Sequence, residues 1–220
     1  MTKDIIINNR HYCLNVWKIK DEIGILHQFI DWIELPLEDQ VNKIADILVP
    51  QTKDLDYISR LYIMIILSSY ANGDYSDILL TCPHCGNPID TRISIRENLE
   101  FIPPKTVEVE INNKKYTISK QNIELCNELP LKDYNSILNQ LNDDGDLKLC
   151  AKVKCIMCNN DVLAIRELKD LFENYVIMLD LEWYYSTLKY FISQLGFSKT
   201  DFDSLYPFEI ELLINEDKNE

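Results

Sequence analysis

Two short cysteine pairs, Cys82-Pro83-His84-Cys85 and Cys155-Ile156-Met157-Cys158, indicate the fold of this 220-residue chain. Each pair lies between two short apolar segments of the kind that form β-strands. The four segments are residues 78–81 and 89–95 around the first pair, and residues 152–154 and 162–165 around the second. Gly86 and Asn159-Asn160 follow the pairs, and both residue types accept the left-handed backbone of a tight turn. The sequence therefore predicts two β-hairpins, each with a C-x-x-C motif at its tip.

The two pairs together have the composition of one tetrahedral metal site. A structural zinc takes four thiolate or imidazole ligands, and each C-x-x-C turn supplies two sulfurs. Residues 86 to 154, 69 in all, separate the pairs, whereas the usual spacing is about 15–20 residues. The longer separation is acceptable because the entropy of loop closure grows only logarithmically with length. We predict that Cys82, Cys85, Cys155 and Cys158 bind one structural Zn2+ per chain, with His84 as a spacer.

Two alternatives remain for the cysteine pairs: ordinary reduced thiols in hairpin turns, and a dithiol redox site. The redox site is disfavoured because such sites carry a single C-x-x-C in a βαβ context. Seven cysteines and the lack of an N-terminal signal sequence indicate a reducing compartment. The other three, Cys13, Cys126 and Cys150, are expected to be small buried residues, and Cys150 is an alternative ligand because it lies close to the second pair.

Composition narrows the function classes. The formal net charge of -14 argues against nucleic-acid binding, which requires a basic face. No segment approaches the roughly 20 apolar residues of a membrane span, and residues 61–67, the most apolar stretch, are expected to form a buried core helix. The three histidines lie near no obvious nucleophile, and no glycine-rich phosphate loop is present. We therefore expect a protein that is not an enzyme and has no small-molecule substrate.

The predicted fold class is α+β, predominantly helical with β-hairpins, in which the two C-x-x-C hairpins form a zinc-ribbon-like module. Three regions are predicted within one compact unit: residues 1–75, residues 76–166 with an inserted hairpin and helices at 103–147, and a helical region at 167–220. The predicted elements are hairpins at 4–19 and 106–119 and helices at 21–33, 37–48, 55–71, 122–128, 131–141, 167–175 and 180–195, with a last helix that begins at Pro207.

The predicted helix at 180–195 is rich in aromatic residues that do not form a single stripe. Some of them should remain exposed, and tyrosine and tryptophan are favoured at protein interfaces. The alternative is that they pack on the core. The candidate partner-binding residues are Trp183, Tyr184, Tyr185, Tyr190 and Phe191.

A series of motifs extends over most of the chain from about residue 54. It comprises an Asp-x-x-Tyr-led apolar helix, two C-x-x-C hairpins around an insertion, a Tyr-Tyr pair, a Ser-x-x-Asp-hydrophobic turn and a Pro-Phe-Glu helix start. The residues that carry these motifs are Asp54, Asp56, Tyr57, Cys82, Cys85, Cys155, Cys158, Leu171, Phe172, Tyr184, Tyr185, Ser198, Asp201, Phe202, Leu205, Pro207, Phe208 and Glu209. In this order they resemble the baseplate hub assembly proteins of T-even-type contractile-tailed phages. One departure is the core helix, where the Leu-Arg-x-x-Ser segment of that family is represented only by Leu67-Ser68-Ser69.

The resemblance implies a non-enzymatic phage tail protein that acts in assembly of the baseplate central hub, as a chaperone or a minor subunit. Its partners would be other baseplate and hub proteins, and it would act in the host cytoplasm during virus assembly or in the tail baseplate. Two other classes remain open. One is a zinc-ribbon regulator that binds nucleic acid or polymerase, which the small basic strand with Lys148, Lys152 and Lys154 would favour. The other is an enzyme with a catalytic zinc.

Overall fold

The computed structural model describes residues 1–29, 32, 34–112, 114–118, 120–127, 129–141, 145–176 and 180–217. The fold is mixed α+β, with helices alternating with small antiparallel sheets. The chain opens, as predicted, with a hairpin of β1 (Thr2–Ile7) and β2 (Arg10–Asn15). Asn8 and Asn9 form its turn with positive φ angles of 49° and 63°, which suits a two-residue hairpin turn.

Three helices follow the hairpin: α1 (Ile19–Phe29), α2 (Leu37–Leu48) and α3 (Tyr57–Ala71). Helix α1 begins two residues before the predicted start, and the predicted end, with Ile30 and Ile33, lies outside the described residues. The Asp56 carboxylate accepts from the backbone N–H of Ser59 at 2.8 Å and so caps α3. Helix α3 is apolar on most sides, and it lies in the core as the composition of residues 61–67 predicts.

The two cysteine pairs join four strands. Strands β3 (Tyr75–Thr81) and β4 (Pro88–Ser94) pair antiparallel, as do β8 (Asp146–Lys154) and β9 (Asp161–Arg166). Strand β4 leads through the single-turn helix α4 (Ile95–Asn98) into β5 (Leu99–Ile102), which pairs with β8. The result is a three-stranded sheet in the order β5-β8-β9. Neither β5 nor the first half of β8 was predicted.

The insertion forms its own small cluster of elements. Strands β6 (Val107–Ile111) and β7 (Lys114–Ile118) form a hairpin, and a 3-10 helix (Lys120–Cys126) and α5 (Leu131–Gln140) follow. The ends of the predicted hairpin and of the predicted helix at 122–128, Ser119 and Glu128, lie outside the described residues. Of the helix predicted at 122–128, the described residues up to Cys126 form a 3-10 helix.

The C-terminal part consists of α6 (Leu168–Tyr175), α7 (Leu181–Gln194), α8 (Lys199–Asp203) and α9 (Pro207–Asp217). Ser198 and Asp201 form a capping box at the start of α8. As predicted, the last helix begins at Pro207, whose fixed φ and missing N–H suit a first helical position. None of the described helices combines the length and the apolar content needed to cross a bilayer.

The buried apolar residues fall into three clusters. The largest combines the N-terminal hairpin, α2, α3, both cysteine hairpins and α6, and thus residues from all three predicted regions. The second joins α1 to α7, α8 and α9, and the third lies within the insertion. The domain boundaries themselves stay predictions.

Candidate metal centre

The two hairpin tips are built on the same plan. In each, the strand ends at the residue before the first cysteine, and its partner begins three residues after the second. The first cysteine N–H donates to the carbonyl five residues on, at 2.8 Å from Cys82 to Asn87 and at 2.9 Å from Cys155 to Asn160. The two tips are therefore equivalent residue by residue.

Each tip also closes with a second backbone bond. The Gly86 N–H donates to the Cys82 carbonyl at 2.9 Å, and the Asn159 N–H donates to the Cys155 carbonyl at 2.8 Å. Gly86 and Asn159 both have positive φ angles, 74° and 62°. Glycine and asparagine are the residues that adopt this conformation at least cost, as expected from the sequence at these two positions.

The tips bring the four cysteine sulfurs together. All four lie within 4.8 Å of one another. The Cys82 Sγ is 3.6 Å from the Cys158 Sγ, and the Cys85 Sγ is 3.6 Å from the Cys155 Sγ. Four thiolates at about 2.3 Å from a tetrahedral zinc would be about 3.8 Å apart. The spacing is therefore compatible with one metal ion among the four sulfurs.

The burial of the cysteines, like the backbone hydrogen bonds, repeats from one tip to the other. Cys82 and Cys155, the first cysteines, are 1% and 0% exposed, whereas Cys85 is exposed and Cys158 is half-buried. Two of the four cysteines thus belong to the core and two lie on the outer side of the cluster. A set of four thiolates completes a tetrahedron without a substrate position, which is the arrangement of structural zinc sites.

Amide donors hold the outer sulfurs. The Asn87 side chain donates to the Cys85 Sγ at 3.3 Å, and the Asn160 side chain donates to the Cys158 Sγ at 3.5 Å. The side-chain and backbone N–H groups of Asn87 lower the pKa of Cys85 to about 6. The backbone N–H of Asn160 also lowers the pKa of Cys158, but burial and the neighbouring thiols outweigh it and raise that pKa to about 11. Cys85 is therefore the more acidic of the two outer thiols, and a bound cation would displace the protons of both.

The remaining cysteines and His84 lie outside this cluster. His84 is exposed at the tip. Cys126 is buried, as predicted, and Cys150 is half-buried on the outer face of β8. The prediction for Cys13 is wrong, because Cys13 is exposed. The pleat of β2 turns Tyr12 and Leu14 into the core and Cys13 toward solvent.

The candidate partner-binding residues of α7 separate into two groups. Tyr184 and Phe191 are 2% and 0% exposed and belong to the second core cluster, so they do not form a free surface. The Tyr184 hydroxyl donates to the Asp203 carboxylate at 2.7 Å. Trp183 and Tyr190 are half-buried, and Tyr185 is 54% exposed. Of the five candidate residues on α7, Tyr185 is therefore exposed, and Trp183 and Tyr190 are partly exposed.

Several of the motif residues serve the folding of the chain. Asp56, Ser198 and Asp201 are helix caps, and the Glu209 carboxylate accepts from the backbone N–H of Tyr206 at 2.8 Å before α9. Others lie in the core with less than a tenth of their surface exposed: Leu171, Phe172, Tyr184 and Phe202.

Sequence reasoning missed one buried ionic residue, Arg60 of α3. Arg60 is 4% exposed. Its guanidinium donates to the Asp46 carboxylate at 2.6 Å, to the Asn42 side chain at 2.9 Å and to the Thr52 hydroxyl at 3.3 Å. It thereby ties α2 to α3. The available signal was a single arginine inside the first turns of an otherwise apolar helix.

A second missed residue, Asp74, closes the base of the first cysteine hairpin. Its carboxylate accepts from the Ser94 hydroxyl at 2.7 Å and from the Arg96 backbone N–H at 3.0 Å, and it pairs with the Arg96 guanidinium at 2.8 Å. Burial alone would raise the pKa of Asp74, but these hydrogen bonds outweigh burial and lower it. The Arg96 guanidinium in turn lies 4.3 Å from the ring centre of Tyr70.

Comparisons of the chain with protein-family models, with curated proteins and with solved structures found no match.

Proposed function

We propose that this protein is a non-enzymatic tail protein of a contractile-tailed phage that helps to assemble the central hub of the baseplate. In this proposal Cys82, Cys85, Cys155 and Cys158 bind one structural zinc. The two cysteine hairpins then form a zinc-ribbon-like module, and the chain acts as a chaperone or a minor hub subunit. The proposed partners are baseplate and hub proteins, met in the host cytoplasm or in the tail.

One observation carries the structural part of this proposal: the four sulfurs lie within 4.8 Å of one another at two equivalent hairpin tips. Four thiolates favour zinc over harder cations, which prefer oxygen ligands. The chain between the pairs contains the whole insertion, so a metal at this point would fix two distant segments to each other. The assignment to the tail hub rests on the series of motifs described above.

A binding experiment tests the tail assignment. The tagged chain is expressed in cells infected with the phage that encodes it, and the captured proteins are identified by mass spectrometry. We expect hub and baseplate proteins in the captured fraction. We also expect Tyr185→Ala to reduce their capture, and Lys132→Ala, an exposed change on α5, to leave it unchanged. A captured fraction without any tail protein would contradict the assignment.

A second candidate is a regulator that binds nucleic acid or polymerase. One observation favours it: Lys152 and Lys154 follow each other on the outer face of β8 beside the second cysteine pair. Retention of the chain on an oligonucleotide column, with a steep loss at higher salt, would support this candidate. The formal net charge of -14 favours the first.

A further inference from the structure

Strand β9 is an edge of the three-stranded sheet. It pairs with β8 on one side, and no strand of the described part of the chain pairs with its other side. The bond from the Cys155 N–H to the Asn160 carbonyl marks that residue pair as hydrogen-bonded. Because such pairs alternate along an antiparallel ladder, Val162, Ala164 and Arg166 bond to β8. The backbone groups of Asp161, Leu163 and Ile165 therefore point to the open edge.

The outer face at this edge is apolar. Leu163 and Ile165 are each 51% exposed, and half-buried Cys150 lies opposite Ile165. Beyond Ile165 lies a cavity of about 710 Å³, which is lined by leucines, Leu37 and Leu168 among them, and by five charged residues: Asp146, Lys148, Glu167, Lys169 and Asp170. Open edges are normally protected by charged side chains, by proline or by a covering element. Strand β9 has charged residues only at its two ends, Asp161 and Arg166, and neither charge nor proline from Val162 to Ile165.

The outer face of this hairpin carries lysines in an acidic protein. Lys148, Lys152 and Lys154 lie on it with Asp146 and Asp161, a formal net charge of +1, against -14 for the whole chain. Lys148 pairs with Glu100 and Asp146. Lys152, opposite Leu163, and Lys154, opposite Asp161, have no ion-pair partner among the described residues. Beside two aliphatic side chains, the face thus offers two ammonium groups, Lys152 and Lys154, against one carboxylate, Asp161.

We propose that the open edge of β9 and the adjoining outer face form a docking site for an extended, acidic segment of a partner protein. The segment adds a fourth strand to the sheet and bonds to the backbone of Leu163 and Ile165. Its outer-face side chains are aliphatic where they lie beside Leu163 and Ile165, and carboxylate where they reach across β9 to Lys152 and Lys154 on β8. This site is separate from Tyr185, and it depends neither on the identity of the metal nor on the tail assignment.

A fluorescein-labelled peptide tests the site. The peptide has about ten residues, the length of a long strand, with threonine at every second position and valine and glutamate at the others. We expect the intact chain to bind it, and a matched peptide with lysine for glutamate to bind about tenfold more weakly or not at all. We expect Lys152→Glu with Lys154→Glu to weaken binding of the acidic peptide about tenfold, and the exposed control Lys132→Glu to leave it unchanged.

A backbone variant separates strand addition from simple charge attraction. Leu163→Pro removes an N–H that points to the open edge and keeps the bonds from β9 to β8. We expect it to abolish peptide binding without change in metal content. Hydrogen exchange gives the same information without a mutation, since the Leu163 and Ile165 amides should become protected when the acidic peptide binds.

Several outcomes would overturn the proposal. They are the absence of acidic-peptide binding, equal loss in the Lys132→Glu control, and binding of a single-stranded oligonucleotide in place of the peptide. Self-association of the chain that Leu163→Pro abolishes would also overturn it, because the edge would then be occupied by a second copy.

Discussion

Each hairpin tip differs from an ordinary turn in having one asparagine whose side chain contacts a cysteine sulfur. Asn87 and Asn160 occupy the same position in the two tips, two residues after the second cysteine, and each amide donates to that cysteine's sulfur. Donors of this kind orient metal ligands and spread the charge of a thiolate. The repeated asparagine is thus explained by its contact with the site.

Replacing both asparagines tests this role. We expect Asn87→Ala with Asn160→Ala to lower zinc affinity by about 10-fold or more, because both outer sulfurs lose a donor. Affinity is measured by competition with a chromophoric chelator. The control His84→Ala changes an exposed residue of the same tip and should leave affinity unchanged. Equal affinities for the double variant and the wild-type chain would show that the amides do not support the ligands.

At the scale of elements, the contact between α2 and α3 depends on Arg60. The guanidinium is almost fully buried, and its three partners come from α2 and from the short 3-10 helix that follows α2 (Pro50–Thr52). We expect Arg60→Ala to lower the free energy of unfolding by about 2–4 kcal/mol, because it leaves polar groups without partners and opens a cavity. Denaturant unfolding measures the change.

The matched control for Arg60 is Arg92, which pairs with Asp77 at 2.8 Å on the exposed face of β3 and β4. Both side chains of that pair are more than half exposed, so water replaces the interaction when it is lost. We expect no measurable change in stability for Arg92→Ala. Similar losses for the two arginines would contradict the role of Arg60 as a buried connection.

The first cysteine hairpin should show a pH-dependent stability that originates at its base. The pKa of Asp74 is lower in the folded chain than in the unfolded chain, so Asp74 contributes fully to the free energy of unfolding above about pH 4. This contribution is lost as the pH falls through the pKa that Asp74 has in the folded chain. We therefore expect the difference in unfolding free energy between the wild-type chain and Asp74→Asn to be largest near neutral pH and to shrink in acid.

Denaturant unfolding at several pH values measures this difference. Asp90→Asn, on the exposed side of β4, is the control and should show no such dependence. The comparison uses differences between variants, since acid would also protonate the cysteines of the proposed metal site in every variant. A difference that grows in acid would contradict the account of Asp74.

Sequence patterns identified the elements whose signals are local. Asn8-Asn9 predicted the first turn, Pro207 predicted the start of α9, and the C-x-x-C motifs with Gly86 and Asn159 predicted the hairpin tips. The pairing of β5 with β8 was not predicted, because it joins residues about 50 positions apart and β5 has only four residues. Arg60 and Asp74 were missed for the same reason, since their partners lie in other elements.

The sequence did not show which aromatic residues of α7 are buried. The composition of α7 indicated a contact surface, but whether an aromatic side chain faces a core or a partner depends on the position of the neighbouring helices. Helices α1, α8 and α9 cover Tyr184 and Phe191, while Tyr185 stays exposed. Burial of these rings could not be read from the sequence of α7 alone.

At the scale of the whole molecule, the cysteine centre is a connection between distant parts. The two hairpins contribute to the largest core cluster together with the N-terminal hairpin, α2, α3 and α6. A structural metal can supply about 10–16 kcal/mol of apparent binding free energy. One ion at the tips would therefore stabilise the contact between the two hairpins far more than any single side-chain pair.

Elemental analysis of the zinc content of the purified chain and of its variants tests the shared metal site. We predict one zinc per chain in the wild-type protein, loss of the metal in the double variant Cys155→Ser with Cys158→Ser, and one zinc in the control Cys150→Ser. Two zinc ions, none, or a full complement in the double variant would contradict a single site shared by the two hairpins.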